Sequence, residues 1–394
     1  MKLSKRADRM QASPIRRLAP FADEARKKGI EVLHLNIGQP DIETPEYFFT
    51  TLKTFNEKVL KYGPSGGIVE LRLAVVDYLK SYNIDIELDN VWITTGGSEA
   101  IIFAFMTIAD YGDEFLIFEP FYTNYNGFAT EAGVRLIPIT LSRENGFHLP
   151  SYDTIESYVT DKTRGIIICS PNNPTGTIFT PEEMFIIQKL VKEHGLYLIS
   201  DEVYREFNYM DVPPTSALSL PEIEDRVIVV DSISKRFSAC GARIGYFISR
   251  NKDIMSASLK FAQARLCPPT IEQYAAVSAF KHMYKFMDSM IEEYRKRRDV
   301  LIEGLKTIPG VESYTPEGAF YAIVKLPVAD SEDFIKFLLK DYSYNGKTVM
   351  LSPANGFYAT KGAGRDEVRI AYVLKEDRLK EAIEILKRGL QAYK

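Results

Sequence analysis

Seven short, largely apolar runs, several of them separated by helical stretches, constrain the fold of this chain more than any other feature. The runs are VWITT (91–95), EFLIFE (114–119), VRLIPI (134–139), GIIICS (165–170), LYLIS (196–200), VIVV (227–230) and IGYFIS (244–249). Helical patterns occupy 98–109, 123–132 and 181–194. Continuous β-branched runs that alternate with helices are typical of a mostly parallel sheet covered on both faces. The sequence therefore predicts an α/β fold built on a mostly parallel seven-stranded sheet.

The last third of the chain has a different pattern. A long charged helical stretch runs from Glu272 to about Leu305 and predicts a connecting helix. Weaker strands (FYAIVKL and EVRIAYV) and helices at 331–341 and 376–392 follow it. A chain of 394 residues is long enough for two domains. We expect a large domain at 47–290 and a smaller α+β domain made of 1–46 and 291–394.

Composition excludes several classes of protein. A formal net charge of −4 without a basic stripe argues against a nucleic-acid partner. Three cysteines without CxxC spacing and four histidines without HExxH spacing predict neither a disulfide framework nor a metal site. The charged N-terminus predicts no signal peptide, and no apolar run approaches the ~20 residues of a membrane span. We expect a cytoplasmic protein without a membrane partner.

Polar or glycine-rich segments follow five of the predicted strands. They are GGSEA after 91–95, PFYTNY after 114–119, PNNPTG after 165–170, DEVY after 196–200 and SISK after 227–230. Ligands of open parallel sheets bind beyond the carboxyl ends of the strands. Each segment alone is common, since GGSEA also caps helices and PNNPTG also forms turns. Together they outline one pocket.

One cofactor, pyridoxal phosphate, uses all of these groups at once. It needs a lysine that holds its aldehyde as a Schiff base and a carboxylate beside its pyridine nitrogen. It also needs a phosphate cradle made of a helix N-terminus and a cation. Asp201 ends one strand and Lys235 follows the next, so parallel neighbours place both at one sheet edge. No nucleotide-binding GxGxxG or GxxxxGK[ST] pattern competes with this interpretation.

The motifs also have a family resemblance. In order, SPNNPTG, SDEVY, SISKRFSACGARIG and VRIAY resemble the class I/II pyridoxal-phosphate aminotransferases of fold type I, which are similar to aspartate aminotransferase. LNIGQPD (35–41), KYGPSGGIVELR (61–72) and GGSEA match as well, so the resemblance covers almost the whole chain. It implies ping-pong transfer of an amino group from an L-amino acid to a 2-oxo acid. It also implies a homodimer with shared active sites.

The resemblance implies a role for each matching residue. Lys235, Asp201 and Tyr204 would be catalytic: Lys235 would bond the cofactor and shuttle a proton, and Asp201 would pair with the pyridine nitrogen. The remaining residues would hold the cofactor or the substrate. Tyr204 and Asn173 would contact the ring oxygen, and Tyr122 would stack on the ring. The phosphate would be held by Gly97, Ser98, Ser232 and Arg243, together with Tyr62 from a second subunit, and the substrate α-carboxylate by Arg369 and Asn173 near the Gly38 backbone.

The substrate is less constrained. The family implies 2-oxoglutarate as acceptor and aspartate as the first donor, with aromatic amino acids or alanine next. In similar bacterial aspartate aminotransferases a lysine at the Ser98 position helps to bind the distal carboxylate, and this chain lacks it. Arg265 is the first alternative, because its segment QARLCPPT approaches the partner's active site in this family, although it would equally fit a surface arginine. Arg16 and Arg17, in SPIRRLAP, are further candidates. A carbon–sulfur β-lyase on the same scaffold and a non-catalytic cofactor-binding regulator remain alternative functions.

Overall fold

The computed structural model describes residues 2–14 and 16–393, without the side chain of Lys285. Met1, Ile15 and Lys394, which the predicted small domain includes, lie outside the described residues. The helices are α1 (Lys5–Arg9), α2 (Ala19–Lys27), α3 (Glu46–Thr54), α4 (Val69–Lys80), α5 (Gly96–Ile108), α6 (Asn124–Ala132), α7 (Tyr152–Glu156), α8 (Pro181–His194), α9 (Ile233–Arg236), α10 (Lys252–Arg265), α11 (Thr270–Lys281), α12 (Met283–Lys306), α13 (Ser331–Lys340) and α14 (Glu376–Ala392). The strands are β1 (Glu31–His34), β2 (Val91–Thr95), β3 (Glu114–Glu119), β4 (Arg135–Thr140), β5 (Thr163–Cys169), β6 (Tyr197–Asp201), β7 (Val227–Ser232), β8 (Ile244–Ile248), β9 (Glu312–Ser313), β10 (Tyr321–Lys325), β11 (Lys347–Met350), β12 (Ser352–Pro353) and β13 (Glu367–Ala371).

The predicted seven-stranded sheet is confirmed. Its strand order is β2-β8-β7-β6-β5-β3-β4. Strand β8 runs antiparallel to β2 and β7, and the other neighbours are parallel. Asp201 lies opposite Cys169 of β5 and Val230 of β7. The carboxyl ends of these three strands are therefore level, which brings the segments that follow them to one edge.

Helix α8 shows how local sequence sets the element boundaries. The Thr180 side chain accepts the Glu183 backbone N–H, and the Glu183 side chain accepts that of Thr180, which forms a capping box before the helix. Gly195 ends the helix at φ 64°, a conformation that glycine adopts without steric cost. Leu190 and Val191 are buried on the face that packs on the core. The predicted span of 181–194 is confirmed.

Two smaller sheets complete the fold. An antiparallel sheet has the order β12-β13-β10-β9, and β1 pairs in parallel with β11. The second pairing joins Glu31 to Lys347 and His34 to Met350, so the N-terminal segment packs with the C-terminal part of the chain. The seven-stranded sheet lies within 47–290 and the four-stranded sheet within 291–394. The boundaries of the domains themselves stay a prediction.

The predicted connecting helix at 272–305 is wrong in one respect. Two helices, α11 and α12, occupy this range and are separated at His282. The His282 backbone has φ −123° and ψ 16°, outside the helical region, and its carbonyl accepts the Tyr47 hydroxyl at 3.1 Å. The break therefore coincides with a contact from α3, which the helical period of the sequence does not reveal.

Neither a bilayer-spanning helix nor a metal cluster is found in the part of the chain that the structure describes. Each of its helices is too short or too polar to cross a membrane. Its histidine, cysteine, aspartate and glutamate side chains form no group of three that could hold a metal ion. Cys169, Cys240 and Cys267 are free thiols.

Candidate active site

A cavity of about 620 Å³ opens at the carboxyl edge of the seven-stranded sheet. Its volume lies within the range of small-molecule sites, about 300–1,000 Å³. Every predicted site residue except Tyr62 lines it: Gly38, Gly97, Ser98, Tyr122, Asn173, Asp201, Tyr204, Ser232, Lys235, Arg243 and Arg369. Side chains from the large sheet, the small sheet and the N-terminal segment therefore meet in one space.

Lys235 lies in α9, directly after β7. The hydroxyl of Ser232 accepts the Ser234 backbone N–H and caps this short helix. The lysine Nζ donates to the Gly38 carbonyl at 2.8 Å and lies 3.7 Å from the Cys240 sulfur. Burial lowers the pKa of Lys235 below its usual value, so the neutral amine is reached at a lower pH than in water. A neutral, buried amine is the nucleophilic form of lysine.

Asp201 ends β6 inside the cavity wall. Its Oδ2 accepts the Tyr125 hydroxyl at 2.7 Å, and its Oδ1 accepts the Val203 N–H at 3.3 Å. Burial raises the pKa of Asp201 to about 6, although the bond from Tyr125 opposes the rise. A cation beside this carboxylate would oppose the effect of burial, lower the pKa of Asp201 again and favour its charged form. Tyr125 was absent from the predicted residues; its only sequence signal is its place in PFYTNY after β3.

Two tyrosines close the small-domain side of the cavity. The hydroxyls of Tyr204 and Tyr321 lie 2.9 Å apart, and Asn173 Nδ2 donates to the Tyr204 hydroxyl at 3.4 Å. Gly38 has to be glycine here, because a Cβ would lie 1.9 Å from the Tyr321 hydroxyl. Tyr321 was also absent from the predicted residues, since it comes from β10 in the other sheet and no local motif marks it.

An anion-binding cradle forms where α5 begins. This helix of 13 residues has no side-chain cap on its N-terminal N–H groups. Gly96, the first residue of the helix, has φ 74°, and a Cβ there would lie 2.3 Å from Arg243 Nη2, so the arginine packs against the start of the helix. Ser98 and Ser232 add hydroxyls to the same wall. A helix N-terminus with a guanidinium and hydroxyl donors is suited to a phosphate group.

Arg369 is buried, yet its guanidinium meets no carboxylate. Nη1 donates to Asn173 Oδ1 at 3.0 Å and Nη2 to the Asn36 carbonyl at 2.6 Å. The group lies over the rings of Tyr321 and Phe357, at 4.6 and 4.9 Å. Its buried Nε has no acceptor among the described residues. Burial lowers the pKa of Arg369. An anion bound here would accept hydrogen bonds from the guanidinium.

The three arginines proposed to read the substrate side chain lie in different surroundings. Arg265 Nε donates to Glu99 Oε1 at 3.1 Å, outside the cavity. Arg17 pairs with Glu332 and also lies outside the cavity. Arg16 lines the cavity. The sequence favours Arg265 over Arg16 and Arg17, whereas Arg16 is the one of the three that lines the cavity of its own chain.

Tyr62 does not reach the cavity of its own chain. It is 80% exposed in the segment between α3 and α4. The neighbouring Val59 and Leu60 are 63% and 60% exposed. Its predicted role, contact with the phosphate of a second subunit, stays a prediction.

A lysine, a carboxylate and an anion cradle at the edge of this sheet define a pyridoxal phosphate enzyme of fold type I. Residues 30–386 match the family model of aminotransferase class I and II, and the chain belongs to that family. Pyridoxal phosphate is its cofactor and transamination its reaction, which confirms both predictions. The β-lyase alternative is not favoured.

Relatives of full length support the assignment. The chain is 30% identical to an aspartate aminotransferase of Bacillus subtilis and 33% identical to aromatic-amino-acid aminotransferase 2 of Thermococcus litoralis, over 100% of each chain. Among solved structures, an alanine aminotransferase from Pyrococcus furiosus matches with a TM-score of 0.91 and 30% identity, over 100% of both chains. These names cover three kinds of amino donor, so the family alone does not select one.

Proposed function

We propose that this enzyme transfers an amino group from an L-amino acid to 2-oxoglutarate by a ping-pong cycle, with aspartate as the first donor to test. One observation carries the proposal: Lys235, Asp201 and the N-terminus of α5 meet in a single cavity with an unneutralised Arg369. The names of the relatives support aspartate, aromatic amino acids and alanine as donors.

The residues of the cavity fit the cofactor. Asp201, whose pKa burial raises, would pair with a protonated pyridine nitrogen, and the start of α5 with Arg243 would hold a phosphate. Tyr122 supplies an aromatic face, and Ser98 and Ser232 supply hydroxyls at the phosphate. When bound, pyridoxal phosphate supplies an electron sink for the bond cleaved at the substrate α-carbon.

The remaining steps belong to side chains of the protein. Arg369 holds the α-carboxylate of the substrate in its planar fork, with Asn173 on one side and the Gly38 backbone nearby. Tyr204 and Asn173, whose side chains hydrogen-bond to each other, would donate to the ring oxygen of the cofactor. Lys235, whose pKa burial lowers, takes and returns the α-proton. General acid–base catalysis of this kind contributes typically ~10²–10⁴-fold.

The attachment of the cofactor tests these assignments. Borohydride should make the bond between Lys235 and the cofactor permanent, and peptide mapping should find the label on the peptide that contains Lys235. Lys235→Ala should remove the label and turnover together. A label on another lysine would refute the assignment.

We also propose a cytoplasmic homodimer in which Tyr62 completes the phosphate site of the partner. The exposure of Tyr62, Val59 and Leu60 supports a partner surface, and the three free cysteines suit a reducing compartment. Mixing Lys235→Ala and Tyr62→Phe proteins tests the shared site, because each hybrid dimer contains one intact site and one doubly altered site. Activity should rise on mixing, and an active monomer by light scattering would exclude the dimer.

A further inference from the structure

We infer that Arg16 binds the side-chain carboxylate of dicarboxylic substrates and so determines which amino acids the enzyme accepts. This inference rests on the proposed transamination, because it concerns the second carboxylate of a substrate whose first carboxylate lies on Arg369. The cavity would then provide one guanidinium group, Arg369 or Arg16, for each of the two carboxylates of the substrate.

The wall around Arg16 comes from the N-terminal segment of the chain. Its members share either a small side chain or a basic one: Ser13, Arg16, Ala19, Ala22, Arg26 and His34. The cofactor-holding residues, in contrast, follow strands of the seven-stranded sheet. None of the residues assigned to the cofactor belongs to this wall, so we assign the wall to the substrate side chain.

The balance of charge in the cavity favours an anion at this wall. Asp201 is the one carboxylate among the described lining residues, and it accepts the Tyr125 hydroxyl. Arg26 pairs with Asp23 at 2.6 Å. Arg16 has no ion-pair or hydrogen-bond acceptor within the described ranges 2–14 and 16–393. Its guanidinium is the cation of this wall that a substrate can neutralise.

Tyr122 links the two guanidinium groups electrostatically. Burial raises the pKa of the Tyr122 phenol, and the positive charges of Arg369, Arg243 and Arg16 act against the rise. Arg16 and Arg369 therefore act on the same hydroxyl in the cavity wall. Arg16, Arg369 and Tyr122 all line the same cavity.

The two rival arginines are already engaged. Arg17 contacts Glu332 and donates to Asn355 Oδ1 at 3.2 Å. Arg265 pairs with Glu99 and would leave that carboxylate unpaired if it turned toward a ligand. Breaking such a pair is unfavourable because it strands a charge, whereas Arg16 breaks nothing when it binds.

The exposure of Arg16 also explains how one site takes two kinds of side chain in turn. An exposed guanidinium stays hydrated when the bound side chain is uncharged, so alanine or phenylalanine leaves it in water at little cost. A dicarboxylate replaces that water by a charge-assisted hydrogen bond. A buried arginine in the same place would exclude uncharged substrates.

Equilibrium binding to the cofactor-loaded enzyme tests the inference without turnover. Succinate carries two carboxylates and propionate one, and calorimetry gives the dissociation constant of each. Arg16→Gln should weaken succinate binding by about three- to fivefold, the upper range for an ion pair of a solvent-exposed arginine, and leave propionate within about 1.5-fold. Arg17→Gln, the matched control on the adjacent residue, should change neither constant. The succinate dissociation constant of Arg16→Lys should lie between those of the wild type and Arg16→Gln, since lysine keeps the charge but lacks the planar guanidinium.

Equal losses for succinate and propionate, or no loss for either, would overturn the inference. So would a wild-type protein that binds succinate no more tightly than propionate. The proposed function fails in a different way, namely when the wild type takes nitrogen from no amino acid. If the wild type transaminates alanine and glutamate, and Arg16→Gln lowers both rates equally, only the role of Arg16 is wrong.

Discussion

Two buried arginines of this protein, Arg236 and Arg369, have opposite surroundings. Both are almost fully buried, at 0% and 2% exposure. Arg236 donates to Glu206 at 2.9 Å and to Asp231 at 2.8 Å. Arg369 donates only to the amide oxygen of Asn173 and to a backbone carbonyl. One guanidinium is neutralised by its own protein, and the other is not.

The pKa values of the two guanidinium groups are shifted in opposite directions. Burial opposes the charge of Arg236, but Asp231 and Glu206 outweigh it and raise the pKa of the guanidinium. Burial lowers the pKa of Arg369, and only tyrosines oppose it. A buried charge without a counter-ion is costly to keep. Arg236 is therefore neutralised within the fold, whereas the surroundings of Arg369 fit the anion-binding role proposed for it.

Removing Arg236 should have the largest effect on stability. Arg236→Met leaves Asp231 and Glu206 buried without a cation, and the free energy of unfolding should fall by about 3–5 kcal/mol. Urea denaturation measures the change. Replacing both acids as well, in Arg236→Met/Asp231→Asn/Glu206→Gln, should recover most of the loss. An unchanged midpoint for the single variant would contradict the role given to Arg236.

Removing Arg369 should damage activity and spare the fold. Arg369→Met should lower kcat/KM by about 2–5 kcal/mol in free-energy terms, because the α-carboxylate loses its partner. The free energy of unfolding should fall less than in Arg236→Met, since two neutral acceptors but no carboxylate are left unpaired. A loss of stability equal to that of Arg236→Met would show that both arginines stabilise the fold to the same extent.

His148, like Arg236, pairs with two acidic side chains, but its positive charge depends on pH. Hydrogen bonds with Glu183 and then Glu317, at 3.0 and 3.3 Å, raise the pKa of His148 from 6.5 to about 10. A raised pKa means that its stabilisation is complete below pH 6.5, declines above it, and is lost once the pH passes about 10. His148→Gln should cost about 1.5–3 kcal/mol at pH 6.

Urea midpoints of wild type and His148→Gln at pH 6, 8 and 10 measure this dependence. The difference between the two proteins should shrink at each step. A difference that stays constant across the series would show that the charge of His148 contributes nothing beyond its packing.

The smallest effect concerns Tyr125. Tyr125→Phe removes a hydrogen bond that holds down the pKa of Asp201, at a cost of about 0.5–1.5 kcal/mol. The pKa of Asp201 should rise further above its usual value, so the carboxylate is protonated at a higher pH. Retention of the cofactor in dialysis should fall more at pH 6 than at pH 8. Equal losses of cofactor at both pH values would show that Tyr125 does not influence the charge of Asp201.

Much of the site was predictable because its motifs are local. Asp201 and Lys235 follow adjacent strands, and the carboxyl ends of parallel strands meet. Tyr125 and Tyr321 were missed because their hydroxyls meet partners 76 and 117 residues away in sequence. The break at His282 was missed for the same reason, since its hydrogen-bond partner is Tyr47.

The sequence by itself determined the order and type of most elements, because the apolar period is set within each segment. It also determined which polar groups follow which strands. Only the tertiary structure decided what each arginine does. Arg16 and Arg17 are adjacent, yet Arg17 pairs with Glu332 and Arg16 lines the cavity. The function of a guanidinium depends on which carboxylates lie within hydrogen-bonding distance, and residues far away in the chain supply them.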